Sequence, residues 1–88
     1  MKYALDFTPT AEEHWRFWLK NDKKTAKRIL SLFASMQETP YSGLGKPEPL
    51  RYEWSGCYSR RIDKQNRIVY EVNEGTMAII VHRLRHHY

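Results

Sequence analysis

The sequence predicts an α+β fold, one domain over residues 1–88, in the order β-α-α-β-β-β-β. Three observations predict it. Apolar residues recur at helical spacing through the first half of the chain. Beyond about residue 50 the spacing changes to two, the period of a half-buried strand. Between the halves lies Tyr41–Pro49 (YSGLGKPEP), a loop with two Gly and two Pro. Strands joined by short turns pair antiparallel. The expected architecture is therefore an N-terminal strand and a helical hairpin on one face of an antiparallel sheet. The opposite sheet face is expected to be concave and polar.

Met1 to Phe7 is short, apolar and partly alternating, and reads as the first strand. Thr8-Pro9 reads as a helix start, with Thr8 as N-cap and Pro9 at the first helical position. Glu12 and Glu13 sit near the positive end of that helix's dipole. Ala11, Trp15, Trp18 and Leu19 follow as one apolar stripe. Asn21-Asp22 ends this helix and caps the next, in which Ala26, Ile29, Leu30, Phe33 and Met36 or Gln37 keep the period. Thr39-Pro40 ends the second helix, because a residue before proline disfavours helical backbone. After the loop, Leu50, Tyr52 and Trp54 alternate with Arg51 and Glu53, then Ser55-Gly56 turns the chain. Strands are expected at Leu50–Trp54, Cys57–Ile62, Arg67–Val72 and Met77–Leu84, the last three separated by turns at Asp63–Asn66 and Asn73–Gly75.

Eighty-eight residues leave no room for a second core, and the 41% apolar and 14% aromatic content supplies burial for one. Fifteen Lys and Arg against ten Asp and Glu give a net charge of +5. That balance points to a polyanionic partner, nucleic acid before anionic membrane. Cys57 is the lone cysteine, which excludes an internal disulfide. The N-terminal MKYALDFTPT has no long apolar run, and nothing approaches the ~20 apolar residues of a membrane helix. A reducing cytoplasm is the expected home.

Basic residues cluster in three places. Lys20, Lys23, Lys24, Lys27 and Arg28 gather along the helices, either as a solvated face or as a stripe that meets phosphates. Arg61 and Arg67 fall on neighbouring strands and could converge on one phosphate, while Arg60 points to the other face and is expected as a stem packed at the sheet edge. The tail His82-Arg83-Leu84-Arg85-His86-His87-Tyr88 can be a frayed terminus, a weak metal site, or the source of a histidine acid or base. RNA supplies its own nucleophile, the 2′-hydroxyl. Cleaving it needs a base, cations for the phosphorane and an acid for the leaving oxygen. Glu48, Arg67 and His87 offer that set.

The segments GKPEPL (Gly45–Leu50), SGCYSRRI (Ser55–Ile62), NRIVYEV (Asn66–Val72) and RHHY (Arg85–Tyr88) strongly resemble the YoeB/Txe toxins of the RelE superfamily. The resemblance covers essentially the whole chain and implies a RelE-like, microbial-ribonuclease-like fold. It implies a type II toxin that enters the ribosomal A site and cuts mRNA, without metal or cofactor. It also implies a cognate YefM-type antitoxin and a capacity to form homodimers. Carried over by motif, Glu48 is the general base, His87 the general acid and Arg67 the transition-state cation, with Tyr88 orienting substrate or acid. Lys46, Arg61 and Arg85 fall in motifs that hold phosphate, and the helical lysines would meet ribosomal RNA. Gln65 stands where an acidic residue is common, and His86 and Cys57 where aromatics are common. The alternative is a basic RNA-binding or regulatory module of the same fold without catalysis.

Overall fold

The computed structural model describes residues 2–86. It contains β1 (Ala4–Phe7), α1 (Pro9–Asn21), α2 (Lys23–Glu38), β2 (Glu48–Pro49), a 3₁₀ turn (Tyr52–Trp54), β3 (Tyr58–Arg61), β4 (Arg67–Asn73) and β5 (Ala78–Arg83). Both helix starts follow from local chemistry. The Thr8 side chain accepts from Ala11 N–H, and Asp22 accepts from Thr25 N–H while its own N–H closes α1 on Trp18 O. One residue, Asp22, thus ends one helix and begins the next, and the hairpin needs no separate linker.

The five strands form one sheet in the order β1-β5-β4-β3-β2. Two features differ from the sequence-based expectation. The sheet is mixed: β1 lies parallel to β5, with Ala4 opposite Ala78 and Phe7 opposite Val81, while all other pairs are antiparallel. The hairpin makes this geometry, carrying the chain across the sheet so that β1 borders the last strand rather than the next one.

The second difference lies at Leu50–Trp54, where alternation predicts a strand. Only Glu48 and Pro49 pair with β3; the chain then turns through Tyr52–Trp54. Tyr52 has a φ of 59°, outside extended backbone. The alternation there reflects a different packing: Leu50 and Trp54 lie with Cys57 and Val69 in a small second cluster.

The main core joins Ala11, Trp18, Ala26, Ile29, Leu32, Phe33 and Met36 of the helices to Ile68, Tyr70, Ile79 and Val81 of the sheet. Leu19 and Leu30, read as part of the helical stripes, are instead about half exposed, and Leu32 takes the buried place. The helices therefore cover the face carrying Tyr58, Arg60, Ile68, Tyr70, Ile79 and Val81. The other face carries Ser59, Arg61, Arg67, Val69 and Glu71, and the Leu50–Trp54 segment roofs part of it.

Candidate functional site

Glu48 is held in place by its neighbours on both sides. The Gly45 carbonyl accepts from Arg61 N–H at 2.7 Å, and Leu50 N–H donates to the Cys57 carbonyl at 2.9 Å. Between these ties Glu48 lies exposed opposite Ser59, flanked by Pro47 and Pro49. Lys46 is exposed on left-handed backbone with φ 53°. Register extends this line across the sheet: Ser59 faces Val69, and one step along Arg61 faces Arg67. Strand alternation puts Glu48, Ser59, Arg61 and Arg67 on the face away from the helices. A carboxylate and two guanidinium groups so share one surface.

The β3–β4 turn behind Arg61 and Arg67 is rigidly made. Asp63 Oδ1 accepts from the N–H groups of Gln65 and Asn66. Burial pulls the Asp63 carboxyl up, but those N–H groups and the Asn66 amide outweigh it and hold it below its usual range. Asn66 Oδ1 in turn accepts from His86 N–H at 2.8 Å. Two residues of α1 bracket the tail just before this point: Leu84 N–H donates to His14 Nδ1 at 3.0 Å, and Trp18 Nε1–H donates to Leu84 O at 2.8 Å. The Arg85 guanidinium lies 3.5 Å above the Phe17 ring. Together with Trp18, Gln65, Asn66 and His86 they line a cavity of about 650 Å³.

The structure thus puts Glu48, Arg61 and Arg67 on one sheet face, with Lys46 exposed two residues before Glu48, and sets Arg85 on an aromatic ring of α1. Arg28 reaches the same rim, its Nη2 donating to Arg61 O at 3.3 Å. Lys20, Lys23, Lys24 and Lys27 are exposed on the helices and make no ion pair among the described residues. The roles expected of His87 and Tyr88 fall on residues outside the described part of the chain.

Arg60 corrects the sequence reading. It is not a stem at the sheet edge but wholly buried, its guanidinium donating to Tyr70 Oη, Ser35 Oγ and the carbonyls of Thr39, Ser42 and Leu44. Those acceptors belong to α2, β4 and the loop leading to Glu48, so a single cation sets the loop's path. Strand parity announced the direction of Arg60 but not the acceptors waiting there. His14, also passed over, was legible only as a polar residue four before Trp18 on the same helix. Cys57 is buried, and burial first, then Glu71, pushes its thiol up, away from nucleophile chemistry. Among the described residues no three His, Cys, Asp or Glu side chains gather as a metal site, and no helix is long and apolar enough to cross a membrane.

Solved structures place this fold among bacterial toxins. A YoeB/ParE toxin from Agrobacterium tumefaciens superposes with a TM-score of 0.93 at 35% identity, covering 97% of this chain and 99% of that one. A YoeB-YefM complex from Staphylococcus aureus gives 0.88 at 34% identity, with both chains fully covered. The Toxin YoeB of Mycobacterium bovis is 45% identical over 85 residues, 97% of this chain and 98% of its own. The family described as "YoeB-like toxin of bacterial type II toxin-antitoxin system" matches residues 7–88. The chain belongs to that family.

Proposed function

We propose that the chain is a ribosome-dependent endoribonuclease that cuts mRNA codons in the A site. The observation that carries this reading is the register placing Glu48 on one sheet face with the facing pair Arg61 and Arg67. Glu48 takes the proton of the 2′-hydroxyl, whose oxygen attacks the adjacent phosphorus. Arg67, with Arg61 and Lys46, meets the charge that builds on the non-bridging oxygens. His87 gives a proton to the departing 5′-oxygen, and Tyr88 orients substrate or acid. The O2′–P bond forms, the P–O5′ bond breaks, and the products are a 2′,3′-cyclic phosphate and a 5′-hydroxyl. Every step uses protons and fixed cations, with no metal ion required. Arg85 contacts phosphate from its seat on Phe17, while Lys20, Lys23, Lys24, Lys27 and Arg28 meet ribosomal RNA.

The partner in this reading is an antitoxin of the YefM type, by analogy with the Staphylococcus aureus complex. An acidic, flexible antitoxin segment folding over the basic face would neutralise it.

Cleavage of mRNA in a purified translation reaction, with and without ribosomes, tests the reading. The wild type should cut only with ribosomes. Glu48→Gln and His87→Ala should each lose about 10²–10⁴-fold in rate, and Glu48→Gln should still bind ribosomes. Protein stripped with a chelator and desalted should cut at the wild-type rate. Folded wild-type protein that binds ribosomes without cutting would replace this reading with that of a non-catalytic RNA-binding module.

A further inference from the structure

We propose that Arg83 is a third phosphate-binding cation of the substrate face, brought there by a bulge between β4 and β5 and engaging the phosphodiester next to the scissile one. The proposal rests on the ribonuclease reading and extends it to a residue outside the four motifs that carry the family resemblance.

The bulge decides where Arg83 goes. Tyr70 faces Val81 but Val69 faces Arg83, so one step of β4 answers to two of β5. Val81 and Leu84 both lie in the core with no exposure. Strict alternation would give them opposite faces; the extra residue lets both point inward and turns His82 and Arg83 to the open side. His82 finds protein partners there, its Nε2 lying 2.6 Å from Glu71 Oε1 and its ring 5.9 Å from Trp54. Glu71, the carboxylate of that face nearest in register, is thereby engaged.

Arg83 finds none. Among the described residues it makes no ion pair, and its Nε, shielded from solvent, has no hydrogen-bond acceptor. Ser59 Oγ, buried on the same face, also lacks a hydrogen-bond partner among the described residues. Register joins the two: Glu48 faces Ser59, Ser59 faces Val69, and Val69 faces Arg83. One line across four strands therefore runs from the candidate base to Arg83, beside the Arg61–Arg67 pair. Folding strands such donors at a cost, and a site retains them where a ligand supplies the acceptor. A guanidinium donating through Nε and an Nη fits two oxygens of one phosphate, whereas an ammonium meets them only as a point charge. With Arg61 and Arg67 on the scissile group, the neighbouring phosphate of an extended strand falls toward β5.

The test compares wild type, Arg83→Met, Arg83→Lys and a charge-matched control, Arg16→Met, whose site on α1 faces away from the sheet. Binding of a short oligonucleotide with a 2′-deoxy block at the scissile position is titrated against NaCl, beside ribosome-programmed cleavage and thermal melting. Arg83→Met should bind about tenfold more weakly, with the slope of log K against log salt smaller by about 0.7, the loss of one phosphate contact on a single strand. Arg83→Lys should restore the slope but not the cleavage rate. Arg83→Met should melt no lower than wild type, since it removes a stranded donor. Arg16→Met should bind and cut as wild type. Wild-type binding and slope in Arg83→Met would overturn the proposal, as would a lowered melting temperature without a binding defect. A wild type that binds with the Arg83-dependent slope yet never cuts would uphold the cation and remove only the ribonuclease reading.

Discussion

Arg60 carries a positive charge into the interior, and among the described residues no carboxylate pairs with it. Five hydrogen bonds to two hydroxyls and three carbonyls replace the lost hydration. Replacing it with Met leaves those acceptors without a donor, so Arg60→Met should lose about 2–4 kcal/mol in urea unfolding. Arg60→Lys should recover little, because an ammonium cannot span the same acceptors. His14 gives a second prediction. Burial first, then the charges of Arg83, Arg85 and His86, hold its imidazole below the usual histidine range. The folded state thus binds fewer protons than the unfolded chain, so this contribution is intact above the unfolded value and is lost as pH falls below it. Protonation also removes the Nδ1 lone pair that accepts from Leu84 N–H. Stability should drop as pH falls below about 6.5, the usual histidine value, and the slope should be shallower in His14→Gln, which keeps an acceptor but does not titrate. An unchanged slope would assign the acid sensitivity elsewhere. Single residues were unevenly legible: Glu48 and Arg67 stand in motifs, but Arg60 and His14 act through groups distant in sequence, which no local pattern reveals.

At the scale of elements, the helices were the most legible because their causes are local. Thr8-Pro9 and Asp22 make caps, Thr39-Pro40 a stop, and the structure places α1 and α2 between them. The segment after the loop misled because Leu50, Tyr52 and Trp54 keep a strand's period while serving a turn. Pro47 and Pro49 were the contrary signal, since neither can donate to a ladder, and the pairing found there is two residues long. The bulge was hidden for a related reason: alternation is read from one strand, and a bulge belongs to two. The loop's shape rests on Gly45, at φ +86°, where an added Cβ would lie 2.6 Å from Leu32 Cδ2 and 3.3 Å from Arg61 O. Gly45→Ala should therefore destabilise by about 1–3 kcal/mol. Its cleavage rate should fall further than the folded fraction does, because Lys46 and Glu48 move with the loop. Equal losses in the two measurements would confine Gly45 to folding.

Across the whole molecule, charge is divided by surface. The helical lysines lie exposed and Arg61 and Arg67 face each other on the open side of the sheet, with Arg28 bonded to the backbone of Arg61 between them. Ribosome binding should therefore weaken steeply with salt, and Lys24→Ala with Lys27→Ala should reduce the slope by about 0.7 for each phosphate contact removed. A slope untouched by the pair would make that stripe a solvated face. The overall α+β order was readable from the change of period, but the parallel placement of β1 was not, since pairing between distant strands leaves no local trace. That placement has a consequence for synthesis. Among the described strands β1 pairs with β5 alone, so the strand made first waits for one made near the end of the described chain. A nascent chain that has not yet delivered Ala78–Arg83 cannot close the sheet, and loop closure over such a separation is slow. Under the proposed ribonuclease reading, the sheet that carries Glu48, Arg61 and Arg67 stays incomplete while the chain is still being made.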